Sequence, residues 1–382
     1  MRSRKVVRKQ WVKKYFLLFF SLSFLLTSFY GCSEKFSYNA PCFKIIQTRF
    51  LGSVWNEGHR KASIISQDGG YSYPTPEGTL WLFGDTFKGS RDETGKPHFA
   101  GGAVSCSIAL LSHRNAHAPP VLKFFSGKDG TVAAPLDFLP GESREHKRMW
   151  PLSGIYIQGT YYMYYTVIEI FGTGVWDFKI LGAGLAFSDK PLSRYKRIQS
   201  KQHWEFPVSP TEIVLVDDWL YLYEVSKKGG KQGIWLSRVR PAEIENPDSY
   251  EYYCGSDTRF CSDKNKQALF LENIYGQVSI VWNEYLGKYI LASSSDFSNP
   301  LEIRLYTADK PHEKWGKPVA RILVPEYRQN KKVELVYFTY FHPELFRENG
   351  RIMNLSFSLQ LKDSGFDANN EMIEVEIENQ KK

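Results

Sequence analysis

One pattern constrains this chain more than any other: a turn residue followed by a short apolar strand, repeated five times. The turns are Gly78, Gly159, Asp218, Gly287 and Gly350, and each leads into a run dominated by Leu, Ile, Met, Tyr or Trp. Successive turns lie 81, 59, 69 and 63 residues apart, 68 on average. Four of the five copies follow another short strand, beginning at Gly154, Glu212, Val278 and Pro343. Most are followed by a third, at Ser107, Gly184, Gly233 and Glu302. Short alternating or aromatic-rich runs bounded by Gly, Asp, Asn and Pro are the signature of strands, and no long 3.6-residue period competes with them after residue 32. The class is therefore all-β. Five meanders of roughly 70 residues make a five-bladed β-propeller, with a pair of β-sandwiches as the competing architecture. Segments 113–149 and 240–275 read as polar loop insertions, and the tail from Glu371 as a closing strand.

Net charge is +8, which on its face suggests a nucleic-acid partner. Seven of the 49 basic residues lie before residue 15, however, and residues 1–31 hold no acid, so the rest of the chain carries 42 bases against 41 acids. The basicity belongs to the N-terminus, and no nucleic-acid partner is expected. Residues 2–14 form a positive head, and Tyr15 to Gly31 is an uncharged apolar run of 17 residues ending at Cys32. That is the architecture of an export signal, a little short for a membrane span. Ser28-Phe29-Tyr30-Gly31-Cys32 resembles a bacterial lipobox, with Cys32 as the lipidation site and an N-terminal lipid anchor as the membrane partner. The expected partition is a signal peptide over 1–31, a short tether over 33–44 and one propeller over 45–382. The expected location is the bacterial cell envelope, at the outer membrane or cell surface, with the periplasm as the other exported compartment. Cys254 and Cys261 flank a short polar loop and could pair where thiols are oxidised. No Cys/His cluster suggests zinc. No cofactor is expected, and a structural cation in the channel is left open.

In a propeller blade the start of strand one and the end of strand two share a face. Asp68 lies ten residues before the turn Gly78 and Asp85 seven after it, so antiparallel pairing brings the two carboxylates to one rim, with Cβ atoms ~5–8 Å apart. Two carboxylates so placed are what glycosidic-bond hydrolysis requires, one to donate a proton and one to act as base or nucleophile. The equivalent strand-one positions in later units add Trp150, Glu212, Gln277, His342 and Glu344, with Tyr73 beside the first pair. Aromatic faces with charged and amide groups suit a carbohydrate. Asp68, Asp85 and Glu212 are the candidate catalytic residues; Tyr73, Trp150, Gln277, His342 and Glu344 are the candidate substrate contacts. Each has a structural counterpart reading. Asp68 also fits an Asp-box turn, Asp85 a strand cap, Glu212 a solvated edge and His342 a backbone hydrogen bond. Glu224 and Glu169 read as single solvent-facing acids at strand ends.

The runs Asp68-Gly-Gly-Tyr-Ser-Tyr and Gly78-Thr-Leu-Trp-Leu-Phe-Gly-Asp85-Thr-Phe resemble the first blade of a bacterial propeller family catalogued as domain of unknown function 4185. Val281-Trp-Asn-Glu-Tyr-Leu-Gly-Lys-Tyr and Tyr340-Phe-His-Pro-Glu resemble its fourth and fifth blades. The likeness spans residues 45–360. It implies kinship in fold with five-bladed arabinanases and sucrases, and endo-D-arabinanase activity in some members. It places the family's two blade-one acids on Asp68 and Asp85, and a third, middle-blade acid near Glu212. The resulting expectation is an exported glycoside hydrolase acting on a furanose-containing polysaccharide or oligosaccharide. A non-catalytic sugar-binding lipoprotein is the alternative. A sialidase-like enzyme is a weaker one, because Arg238, Arg304 and Arg351 fall on later strands.

Overall fold

The computed structural model describes residues 42–93, 96–113, 117–143, 145–174, 177–198, 205–255, 259–294, 301–328, 331–362 and 369–380. The export signal, the tether and Cys32 lie outside them.

Five antiparallel sheets form the five blades of a β-propeller. Their inner strands are Ile64–Thr75, Lys147–Ile157, Glu212–Val216, Tyr275–Asn283 and Lys331–Phe341. Each touches the inner strands of the two neighbouring sheets, in a closed circuit around the axis. The repeated strands recognised in the sequence are the second strands of the blades, beginning at Gly78, Thr160, Trp219, Lys288 and Ile352. Two of the turns before them show why they stand out. Gln158-Gly159 and Asp217-Asp218 are two-residue loops in which every residue has a positive φ, between +49° and +89°. Two consecutive left-handed residues give the turn whose twist matches the flanking strands.

The second strand of blade two, Thr160–Ile170, explains the aromatic richness. Tyr161, Met163, Tyr165 and Val167 pack with Tyr71, Leu80, Leu82 and Ile108 of blade one. Tyr162 and Tyr164 pack with Ile213, Leu220 and Leu222 of blade three. Side chains alternate between sheet faces, and both faces of a blade are covered, so the run is apolar throughout. Blades three and four, four and five, and five and one share equivalent cores. Each fully buried Leu, Ile, Phe or Met contributes about 1.5–3 kcal/mol through burial.

Three features depart from the sequence reading. First, blade five begins at Lys331, not Pro343: Pro343–Leu345 is a single 3-10 turn beyond the end of the inner strand. Proline fixes its own φ and has no N–H for a ladder, which suits a turn and not a central strand. Second, both supposed loop insertions supply outer strands, Val121–Phe124 to blade one and Glu251–Tyr253 to blade three. Third, the ring is closed by Phe43–Ser53, which pairs antiparallel with Asn369–Asn379 from Phe43↔Asn379 to Ser53↔Glu371. The tail from Glu371 is thus the third strand of blade five, and the closing strand comes from the other end of the described chain. Cys254 and Cys261 are joined as a disulfide, while Cys42 and Cys106 are buried free thiols.

Candidate active site

Inner strands of four blades carry irregularities that border one cavity. In blade one, Gln67 pairs with Thr86 and Gly69 with Phe83, so Asp68 alone faces Gly84 and Asp85. Leu152 is the extra residue in blade two, and Gly276 and Gln277 are extra in blade four. In blade five, Phe338 and Thr339 stand where the partner strand has one residue, and Phe338 takes a φ of +53°. A bulge bends its strand and re-aims side chains, and a bulky residue at positive φ marks backbone held under strain. These bulges ring one cavity of about 580 Å³. Its wall includes Asp68, Leu152, Gly276, Gln277 and Phe338 from the bulges themselves. A pocket of that size is ordinary for a small ligand or a few sugar rings.

The wall has two characters. Blades two and five contribute Trp150, Pro151, Phe178, Ile180, Leu335, Tyr337 and Phe338, with Trp150 and Phe178 edge to face at 4.9 Å. Blades three and four contribute Ser209, Thr211, Glu224, Ser226, Gln232 and Gln277.

Asp68 and Asp85 meet at this wall. Burial raises Asp68 well above the ordinary carboxylate range, and the neighbouring charge of Asp85 raises it further. Gly84 makes the approach possible: a Cβ there would lie 2.3 Å from Asp68 Oδ1. Only a residue without a side chain leaves room for that carboxylate. Asp68 lies within the strand Ile64–Thr75, so the Asp-box turn reading does not hold. Arg148 of blade two reaches Asp85, Nε to Oδ1 at 3.9 Å. Tyr337 faces both acids. Burial, then Asp68, then Asp85 push its phenol far above its usual range.

The remaining expected site residues divide. Trp150 and Gln277 line the cavity with the aspartates. Glu212 does not reach it and is not a solvated edge either. It is fully buried at the hub, where its carboxylate accepts hydrogen bonds from Tyr71 Oη at 2.8 Å, Ile213 N at 2.9 Å and Ile280 N at 2.8 Å. Burial outweighs those bonds and pushes it up to about 7. Its neighbour Thr211 is the residue that lines the cavity. Tyr73 belongs to the core between blades one and two. His342 and Glu344 follow the end of the inner strand and do not line the cavity, because blade five begins a dozen residues before the expected start. His342 is fully buried there, stacked on Trp81 at 4.0 Å, and hydrogen-bonded to Ser72 Oγ at 2.9 Å and Ser356 Oγ at 2.7 Å. Glu344 accepts from Ser72 at 3.4 Å.

Glu224 was the acid undervalued in the sequence. It lines the cavity from the second strand of blade three, accepts from Ser226 Oγ at 2.9 Å and is paired with Lys228 at 3.0 Å. The signal was available: Glu224 stands six residues after the turn Asp218, as Asp85 stands seven after Gly78. Among the described residues no group of three or more His, Cys, Asp or Glu side chains could hold a metal ion.

An all-β propeller with acids gathered in an axial pocket is thus the class of protein that the fold and site define. The chain belongs to the family described as domain of unknown function DUF4185, whose model matches residues 54–361. No curated protein is significantly similar to it in sequence. Among solved structures it is similar in fold to a candidate hydrolase from Bacteroides ovatus, with a TM-score of 0.60 at 14% identity over 83% of this chain and 87% of that one. A family 117 glycoside hydrolase from Zobellia galactanivorans aligns with a TM-score of 0.49 at 9% identity, covering 86% and 90% of the two chains. The GH43_1 enzyme from Xanthomonas citri, complexed with xylotriose, aligns with a TM-score of 0.47 at 13% identity, covering 85% and 89%.

Proposed function

We propose that this protein is an exported, lipid-anchored glycoside hydrolase that cleaves a furanose-containing, arabinan-like polysaccharide, with Asp68 and Asp85 as its catalytic residues. The observation that carries this reading is the meeting of the two carboxyl groups across one bulge at the cavity wall, with Asp68 held above the carboxylate range. One carboxylic acid protonates the glycosidic oxygen as the bond to the anomeric carbon breaks. The other carboxylate either takes the proton of an attacking water or itself bonds to that carbon before water releases it; a separation near 5 Å favours the second course, a longer one the first. The apolar wall of Trp150, Phe178 and Tyr337 offers faces for sugar rings, and Glu224, Gln232 and Gln277 offer partners for hydroxyls. The furanose assignment rests on the resemblance to arabinanases. Export and anchoring rest on the apolar run before Cys32, and the disulfide suits an oxidising compartment.

The test is incubation of wild type and Asp85→Asn with arabinans, arabinogalactan, fructans and xylans, scoring new reducing ends. Product from wild type alone, with equal melting temperatures, supports the reading. Glycan binding without product from either would make the cavity a sugar-binding site and overturn it.

A further inference from the structure

The two aspartates are chemically alike but differently neighboured. Among the described residues, the titratable groups facing Asp85 include Asp68 on the paired strand, Arg148 from blade two, Cys106 ahead of the third strand of blade one, and Tyr337 from blade five. Burial holds the Cys106 thiol protonated, up to about 12, and the Tyr337 phenol likewise stays neutral. Of these groups, the carboxyls of Asp68 and Asp85 and the guanidinium of Arg148 are the ones that can carry charge at neutral pH. The guanidinium approaches Asp85, and both side chains keep about a quarter of their surface in solvent, at 21% and 26%. Asp68, on the other strand, forms no ion pair among the described residues, and the charge that acts on it is that of Asp85. Two carboxylates that raise one another do not both ionise readily, and a cation beside one of them decides which keeps the proton.

We propose that Arg148 is a positioning residue that keeps Asp85 ionised, so that Asp68 is the member of the pair that carries the proton. This rests on the hydrolase reading for its consequence: Asp68 gives its proton to the leaving oxygen, and Asp85 is the base or nucleophile. At the end of a cycle Asp68 has regained a proton from water, directly or through Asp85, and no other reactant is consumed.

The test uses the full-length protein as wild type, Arg148→Lys and Arg148→Met. Arg148→Met should move the acid limb of kcat/KM upward by about one pH unit or more, and Arg148→Lys should leave it near its wild-type position. A melting temperature lowered in Arg148→Met with the limb unmoved would make Arg148 structural and overturn the proposal. A second reading needs no turnover: carboxyl carbon NMR titration of aspartate-labelled protein, assigned with Asp68→Asn and Asp85→Asn. Asp85 should titrate below Asp68 in wild type, and the gap should narrow in Arg148→Met. The reverse order, or a gap indifferent to Arg148, overturns the proposal. That order with no turnover on any glycan leaves the proton assignment standing while the hydrolase reading falls.

Discussion

The phenol of Tyr71, on the inner strand of blade one, donates a 2.8 Å hydrogen bond to Glu212, on the inner strand of blade three. The same carboxylate accepts from Ile280 N of blade four, so one side chain ties three blades together at the axis.

Because burial holds Glu212 up at about 7, its ionised form is the one the folded state disfavours. Between the ordinary glutamate range, about 4.5, and about 7 the folded chain binds more protons than the unfolded one. Stability should therefore be fullest on the acid side of that window and fall as pH rises through it, by roughly 3 kcal/mol for this group. Glu212→Gln should remove this share of the slope. Stability at acid pH should change little, because the amide, like the protonated carboxyl it replaces, is neutral and carries one carbonyl acceptor and one donor group. Urea unfolding across the window checks both.

Asp68→Asn and Asp85→Asn should differ by substrate. Loss of a proton donor costs about 10²–10⁴-fold on an unactivated glycan and far less where the leaving group needs no proton. Asp68→Asn should thus retain most of its rate on an aryl glycoside with an acidic phenol, whereas Asp85→Asn should be slow on both. Steady-state rates on matched substrates decide it; equal losses would leave the two roles unassigned to either residue.

Glu224→Gln should raise KM about 10- to 100-fold with kcat little changed, as expected for a charged acceptor of sugar hydroxyls. A fall in kcat of a thousandfold or more would make Glu224 the proton donor in place of Asp68.

Gly84→Ala puts a methyl carbon 2.3 Å from Asp68 Oδ1, well inside van der Waals contact. The carboxylate must swing aside, and activity should drop at least a hundredfold, since misplacement by about 1 Å is enough for that. Circular dichroism should show the sheet intact.

Reduction of Cys254–Cys261, which closes a seven-residue separation, should cost roughly 2–3 kcal/mol. Calorimetry with and without reductant reads this, and Cys254→Ser with Cys261→Ser should abolish the difference.

How much of this was legible in the sequence depends on register. The second strands could be counted because each follows a turn and is buried on both faces, which leaves a local signature such as Tyr161 to Val167. The Asp68–Asp85 pair was legible because both lie within one hairpin. Beyond that hairpin the expectation carried a fixed offset from blade to blade, and bulges break fixed offsets. Gly276-Gln277 inserts two residues, so Gln277 still faced the cavity; in blade three the strand is short and Glu212 turned to the hub while Thr211 took its place. In blade five His342-Pro343-Glu344 mimicked a strand start, and the real one, Lys331–Phe341, ran past Tyr337 and Phe338 unrecognised. Glu212 illustrates the general difficulty: two of its three donors, Tyr71 Oη and Ile280 N, lie more than 60 residues away in the chain, so whether this acid faces a ligand or the hub is not decided locally.

The clasp between Phe43–Ser53 and Asn369–Asn379 joins residues up to 336 positions apart. Contacts of that separation are slow to form, because the entropy of closing so large a loop must be met before any pairing energy is returned. While the chain is being synthesised, the first strand has no partner and blade five no third strand. Until that clasp forms, the described chain is an open arc with two bare strand edges. The interval before ring closure is when those edges are exposed to proteases and to pairing with other copies of the chain.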